Sequence, residues 1–175
     1  EQSGHVILDS DALIHFLALC PYGVEKYSYY FNHFPVLSLN LGIMETTEKV
    51  VELILLLRSE NEINLKLLVN EVETLASLFG LSVTPSDEYY GWSYDPDSQL
   101  RKSYKEAYKK AYDKELKEVP THGGLETGHM SRIFPDMDIV TMGPNCIDIH
   151  TPQERLEIKT LYEVHDFLKN WLGEL

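Results

Sequence analysis

The sequence predicts a small α+β unit followed by an α/β segment. Three observations carry this. Leu37, Leu39, Leu41 and Ile43 alternate with Ser38, Asn40, Gly42 and Met44, a period of two that marks a strand with one buried face. Ile63, Leu67, Leu68, Val72, Leu75, Ala76 and Phe79 recur at helical spacing. Beyond about Trp92 the pattern becomes helix, strand, helix, strand, helix, which is α/β layering.

Asp9–Leu19 reads as a short helix capped by Asp9 or Ser10 and stopped by Pro21. The aromatic stretch Tyr22–Phe34 has no clear period, and its rings are read as packing groups. After the Leu37 strand, Thr46–Lys49 is a polar break. Val50–Leu57 is a second strand, closed by Arg58, so the two form an antiparallel hairpin. Ser59-x-x-Glu62 is a capping-box pattern opening the next helix, and Gly80 ends it. Leu81–Thr84 is expected as a short strand and Tyr89–Pro96 as a turn-rich connection.

In the second part, Ser98–Leu116 is expected to be a helix carrying Leu100, Tyr104, Tyr108, Tyr112 and Leu116 on one stripe. That stripe is read as a buried face, not a cofactor box. Val119–His122 is expected as a strand, Leu125–Phe134 as a helix, and Asp138–Met142 as a buried strand stopped by Gly143-Pro144. Thr160-x-x-Glu163 is expected to cap a last helix with Leu161, Val164, His165, Leu168, Trp171 and Leu172 on one face.

With 175 residues, one domain or two small ones are expected. A formal net charge of −13 argues against a nucleic-acid surface, which needs clustered Lys and Arg. The basic run Arg101–Lys117 is interleaved with acids and reads as a solvated helix face. Two cysteines without a CxxC exclude a disulfide framework and a cysteine zinc site, and fit a reducing, cytoplasmic setting. No apolar run is long enough to span a bilayer as a helix. The start, EQSGHVILDSD, has no Met and no signal-peptide order, and reads as mid-chain sequence.

Potential ligands and sharp turns concentrate between His122 and Arg155. His150 lies in a loop after an expected strand, where functional groups of α/β sheets collect. It is either a metal ligand or a surface or capping histidine. His122-Gly123-Gly124-Leu125-Glu126 is either a tight strand-to-helix turn or a loop whose backbone approaches a ligand closely. Glu126 falls in the first helical turn, where the helix dipole alone favours it. His129 reads as a surface residue. Arg58 either marks the strand end or grips a carboxylate through two hydrogen bonds. His5, Asp9 and Asp11 fit no ligand spacing. A hydrolytic zinc site needs about three protein ligands and a base, and His150 has no compact constellation around it to complete one.

At THGGLETG, FPDMDIVTMGP and IHTPQERLEI, in that order, the sequence resembles the C-terminal end of the aminoacyl-histidine dipeptidases. These Xaa-His dipeptidases are carnosinase-like members of a large family of cocatalytic zinc metallopeptidases. LNLG at Leu39–Gly42, LLRS at Leu56–Ser59 and YYGW at Tyr89–Trp92 also look like that family. The resemblance implies a lid or dimerisation portion over residues 1–91 and the last part of a two-zinc catalytic domain over residues 92–175. It implies His150 as the final zinc ligand, Gly124 as a backbone contact to the dipeptide, and Arg58 as the partner of the substrate carboxylate. His122, Gly123 and Glu126 would be site wall, and a homodimer would form through the lid. The family's H-x-D segment, bridging Asp, Glu-Glu pair and further Asp ligand have no counterpart here, so no catalytic residue is assigned. The expectation is a C-terminal portion without turnover of its own. A non-catalytic association module built from the lid is the alternative.

Overall fold

A computed structural model of the chain describes residues 7–86 and 90–174. His5, and Tyr89 of the YYGW stretch, lie outside the described residues. The fold is mixed α/β, with helices α1 (Ser10–Leu19), α2 (Glu62–Leu78), α3 (Gln99–Tyr112), α4 (Glu126–Ile133) and α5 (Ile158–Leu172). The strands are β1 (Gly23–Tyr27), β2 (Pro35–Thr46), β3 (Val51–Ser59), β4 (Cys146–Ile147) and β5 (Arg155–Leu156). Two compact units divide the chain, one from Glu1–Tyr94 with Pro120–Ile133, the other from Asp95–Val119 with Phe134–Leu175.

The first unit is built on the antiparallel sheet β1-β2-β3. The expected hairpin is β2 and β3, in a register that sets Leu39 opposite Leu57 and Leu41 opposite Leu55. Side chains alternate faces along a strand, so this register collects the leucines on one side. There Leu37 and Leu39 are buried against Leu68, Val72 and Ala76 of α2 and Phe16 of α1. The register slips between Leu41 and Ile43, a bulge at Gly42. β1 was hidden in the aromatic stretch, because two register irregularities within five residues erase its alternation.

Three expectations change here. Asn61, not Ser59, caps α2, its side chain accepting the N–H groups of Ile63 at 2.9 Å and Asn64 at 3.2 Å. Ser59 is the last residue of β3, and its hydroxyl is engaged by the main chain of Asn61. Second, Leu81–Thr84 and Val119–His122 pair in no ladder among the described residues, so neither is a strand. Leu81 instead donates its N–H to Ala76 O at 2.9 Å while Gly80 turns at φ 71°, and this pair of features closes α2. Third, Ile63 and Leu67 remain exposed, while Leu68, Val72 and Ala76, flanked by half-buried Leu75 and Phe79, cover the sheet.

In the second unit α3 and α5 meet through aromatic rings. Tyr104 lies 5.1 Å from Phe167 and 5.0 Å from Trp171, centroid to centroid. Phe167 and Trp171 are buried, while the tyrosine stripe is half-buried at Tyr104 and Tyr108 and exposed at Tyr112. α3 stops at Tyr112, four residues before the expected end at Leu116, because Asp113 turns left-handed at φ 51°. The expected cap at Thr160 also moves: α5 starts at Ile158, and the Thr160 hydroxyl donates to Glu157 O and accepts the Asn145 N–H, both at 2.8 Å. Asp138–Met142 is not a strand, since no described segment offers it a ladder. The ladder in this unit is the two-residue pair β4–β5, which closes the loop carrying His150.

Candidate functional site

In the first unit the antiparallel register sets Ser38 directly opposite Arg58. Their strand neighbours Leu37, Leu39 and Leu57 belong to the core face, so alternation turns Ser38 and Arg58 to the other side. Arg58 is exposed and makes no hydrogen bond or ion pair with any described residue. His122 brings Nε2 to 2.7 Å from Ser38 Oγ, and its ring stands edge-on to Phe34 at 6.1 Å. Partial burial, and then the Arg58 charge, hold the His122 imidazole below its usual pKa. The ring therefore favours its neutral form within electrostatic reach of the Arg58 cation.

Gly123 and Gly124 follow in an exposed loop. Gly123 donates its N–H to Thr121 Oγ1 at 3.2 Å, and its backbone is not left-handed. Glu126 is exposed and opens α4. His129 meets the Tyr90 ring edge-on at 5.2 Å, and Arg132 lies 4.1 Å over the same ring. Both α4 side chains thus dock on Tyr90 within the first unit.

In the second unit His150 occupies the loop between β4 and β5. It has a left-handed backbone, φ 66°, and so does Asp148 at φ 55°. This costs about 1 kcal/mol or more per residue and needs outside support. Three contacts supply it. The His150 N–H donates to Glu154 Oε2 at 3.2 Å. The Thr151 hydroxyl donates to Asp148 O at 2.7 Å. Arg155 pairs with Asp148 at 2.6 Å. The His150 side chain is exposed.

Two readings of a metal site meet different tests. An exposed imidazole on a braced loop, as at His150, can serve as a single ligand. A complete centre needs several such donors converging. Among the described residues no three His, Cys, Asp or Glu side chains are grouped so as to hold a metal. The described residues do not fit a complete metal centre.

Sequence reasoning missed Ser38, although the same alternation that found the strand puts it on Arg58's face. It also missed Asp138, whose carboxylate accepts from Ser98 Oγ at 2.6 Å and from the Leu100 N–H at 2.8 Å at the start of α3. No signal in the sequence links residues 40 positions apart in this way.

Residues 14–174 match the model of peptidase family M20/M25/M40. The chain is 28% identical over 165 residues to the cytosol non-specific dipeptidase of Escherichia coli (strain K12), an alignment covering 94% of this chain and 34% of that protein. The crystal structure of aminoacylhistidine dipeptidase from Vibrio alginolyticus superposes with a TM-score of 0.85 at 29% identity, over 97% of this chain and 35% of that one. The chain spans about a third of the length of these relatives. With nearly its whole length matched by the family model, the chain belongs to peptidase family M20/M25/M40.

Proposed function

We propose that this chain is the C-terminal portion of a zinc-dependent dipeptidase acting on Xaa-His dipeptides. Arg58 grips the substrate's terminal carboxylate, the backbone at Gly124 holds the dipeptide, and His150 is one zinc ligand of a two-zinc site whose other ligands this chain does not supply. The observation that carries the reading is the exposed Arg58 guanidinium, set on the outer sheet face without an ion-pair partner among the described residues. A guanidinium so placed offers two parallel N–H donors to a carboxylate. The name of the E. coli relative, a non-specific dipeptidase, supports a dipeptide substrate, and that of the Vibrio relative, an aminoacylhistidine dipeptidase, supports the histidine. On this reading the chain by itself does not turn over: the hydrolytic water needs a metal centre, and among the described residues no group of three His, Cys, Asp or Glu side chains could hold one.

The test is hydrolysis of alanyl-histidine by an enzyme carrying this segment. Arg58→Ala should lower kcat/KM roughly 10- to 100-fold, the worth of a charged hydrogen-bonded contact. It should leave the alanyl-histidine amide, which lacks the carboxylate, unaffected. Equal losses on both substrates would remove Arg58 from the carboxylate.

A second reading, association through the first unit, also has an observation behind it. β3 is an edge strand, and α2 leaves Leu67 and Leu78 exposed. We propose a homodimer formed there, to be checked by light scattering after size-exclusion chromatography; a strictly monomeric species at all concentrations would contradict it. A cytoplasmic setting is proposed from the name of the E. coli relative; no helix among the described residues is long and apolar enough to cross a membrane.

A further inference from the structure

We infer that Ser38 and His122 form, with Arg58, one carboxylate-binding group in which His122 takes up a proton as the anion binds. This rests on the reading of Arg58 as the partner of the substrate carboxylate, and it adds a positioning residue and a proton linkage to it.

The geometry begins with the sheet. Ser38 and Arg58 are register partners in an antiparallel pair, so their side chains leave the same face as immediate neighbours. Ser38 is hydrogen-bonded to His122 Nε2 at 2.7 Å, across 84 residues of sequence. That bond holds the imidazole on the strand partner of Arg58, within reach of its charge, and Phe34 backs the ring edge-on at 6.1 Å. A serine, a histidine and an arginine from three separate stretches thus converge, and none of them carries a negative charge.

The charges around the ring define what a ligand would do. β3 contributes the Arg58 cation; β2 contributes Ser38 and no charge at the ring. On the ring's own segment, Glu126 opens α4 and is exposed. With Arg58 unneutralised, burial and then its charge both disfavour imidazolium. A carboxylate seated on the guanidinium cancels that repulsion and places a negative charge beside the ring. Protonated His122 is then favoured, and the second imidazole N–H becomes a further donor for the anion. By linkage, whatever raises proton affinity on binding the anion also strengthens anion binding as protons are added. The group would therefore prefer peptides with a free terminal carboxylate, and hold them more tightly on the acid side of the His122 midpoint.

The probe is acetate, with acetamide and chloride at equal ionic strength as controls. The readout is the His122 ring carbon in a 13C-edited NMR pH titration, assigned by its loss in His122→Gln. Acetate should move the His122 midpoint upward, while acetamide and chloride leave it in place. Each unit of upward movement corresponds to about tenfold tighter acetate binding between the two pH limits. Arg58→Gln should raise the midpoint without acetate and abolish the response to it. If acetate shifts the Arg58 Nε–H resonance while the His122 midpoint stays fixed, the proton linkage is wrong and the carboxylate clamp stands. If neither resonance responds to acetate or to glycylglycine, the clamp fails and the linkage with it. Both readouts are taken on the unsubstituted protein; the His122→Gln spectrum serves only to assign the ring.

Discussion

The Ser98 hydroxyl donates to Asp138 Oδ1 at 2.6 Å, and Asp138 Oδ2 accepts the Leu100 N–H at 2.8 Å. Ser98 also accepts the Arg101 N–H at 3.0 Å and is 2% exposed. One serine and one carboxylate therefore share the orphan donors at the start of α3. Ser98→Ala and Asp138→Asn should each cost about 1–2 kcal/mol in urea unfolding. The double variant should cost less than the sum, since both act on one network.

The same contact sets an acid sensitivity. Desolvation pushes the Asp138 carboxyl up, but the Ser98 hydroxyl, the Leu100 and Gln99 amides and the Arg101 charge outweigh it and hold its pKa below the usual value. A depressed carboxyl stabilises the fold fully above its unfolded pKa, and that stabilisation fades as pH falls through the folded pKa. Asp138→Asn should flatten the acid limb of stability against pH, measured by urea midpoints at a series of pH values.

His122 acts in the same direction in a higher window. Burial and the Arg58 charge depress its pKa in the folded chain. The unfolded chain then binds the proton first, so stability is complete above the unfolded histidine value, about 6.5, and declines as pH falls through the folded value. His122→Gln should remove this part of the slope while keeping a hydrogen-bonding partner for Ser38. An unchanged slope would place the ring outside the influence of Arg58.

Gly128 offers a test of close packing. A glycine within a helix is usually improved by alanine, by about 1 kcal/mol. Here a Cβ at Gly128 would run into the carbonyl of Tyr90, which is main chain and cannot rotate away. Gly128→Ala should therefore destabilise, by about 1–3 kcal/mol, as overpacking does. A thermal melt gives the sign directly.

Much of the fold was legible where one face of an element is buried. The β2–β3 hairpin and the Leu68–Val72–Ala76 face of α2 follow from periodicity, because burial imposes the period. The segments misread as strands, Leu81–Thr84, Val119–His122 and Asp138–Met142, have strand-like composition but no ladder among the described residues. Composition reports a preference for extended backbone, while a strand needs a second chain segment that the local sequence does not name. Likewise β1 is a strand through its pairing with β2 despite an irregular pattern. In the candidate site, Arg58 and His150 stood out as residue types in suggestive places. The Ser38–His122 contact did not, because it depends on tertiary placement over 84 residues.

We propose a carboxylate clamp at Arg58 and one metal ligand at His150, with no group of three metal-ligating side chains among the described residues. Metal content by mass spectrometry, with an alanyl-histidine hydrolysis assay on the same purified 175-residue chain, tests it most directly. The account predicts no stoichiometric zinc and no turnover. Stoichiometric zinc with turnover would contradict it, and would mean that residues of this chain, or of a second copy, complete the site.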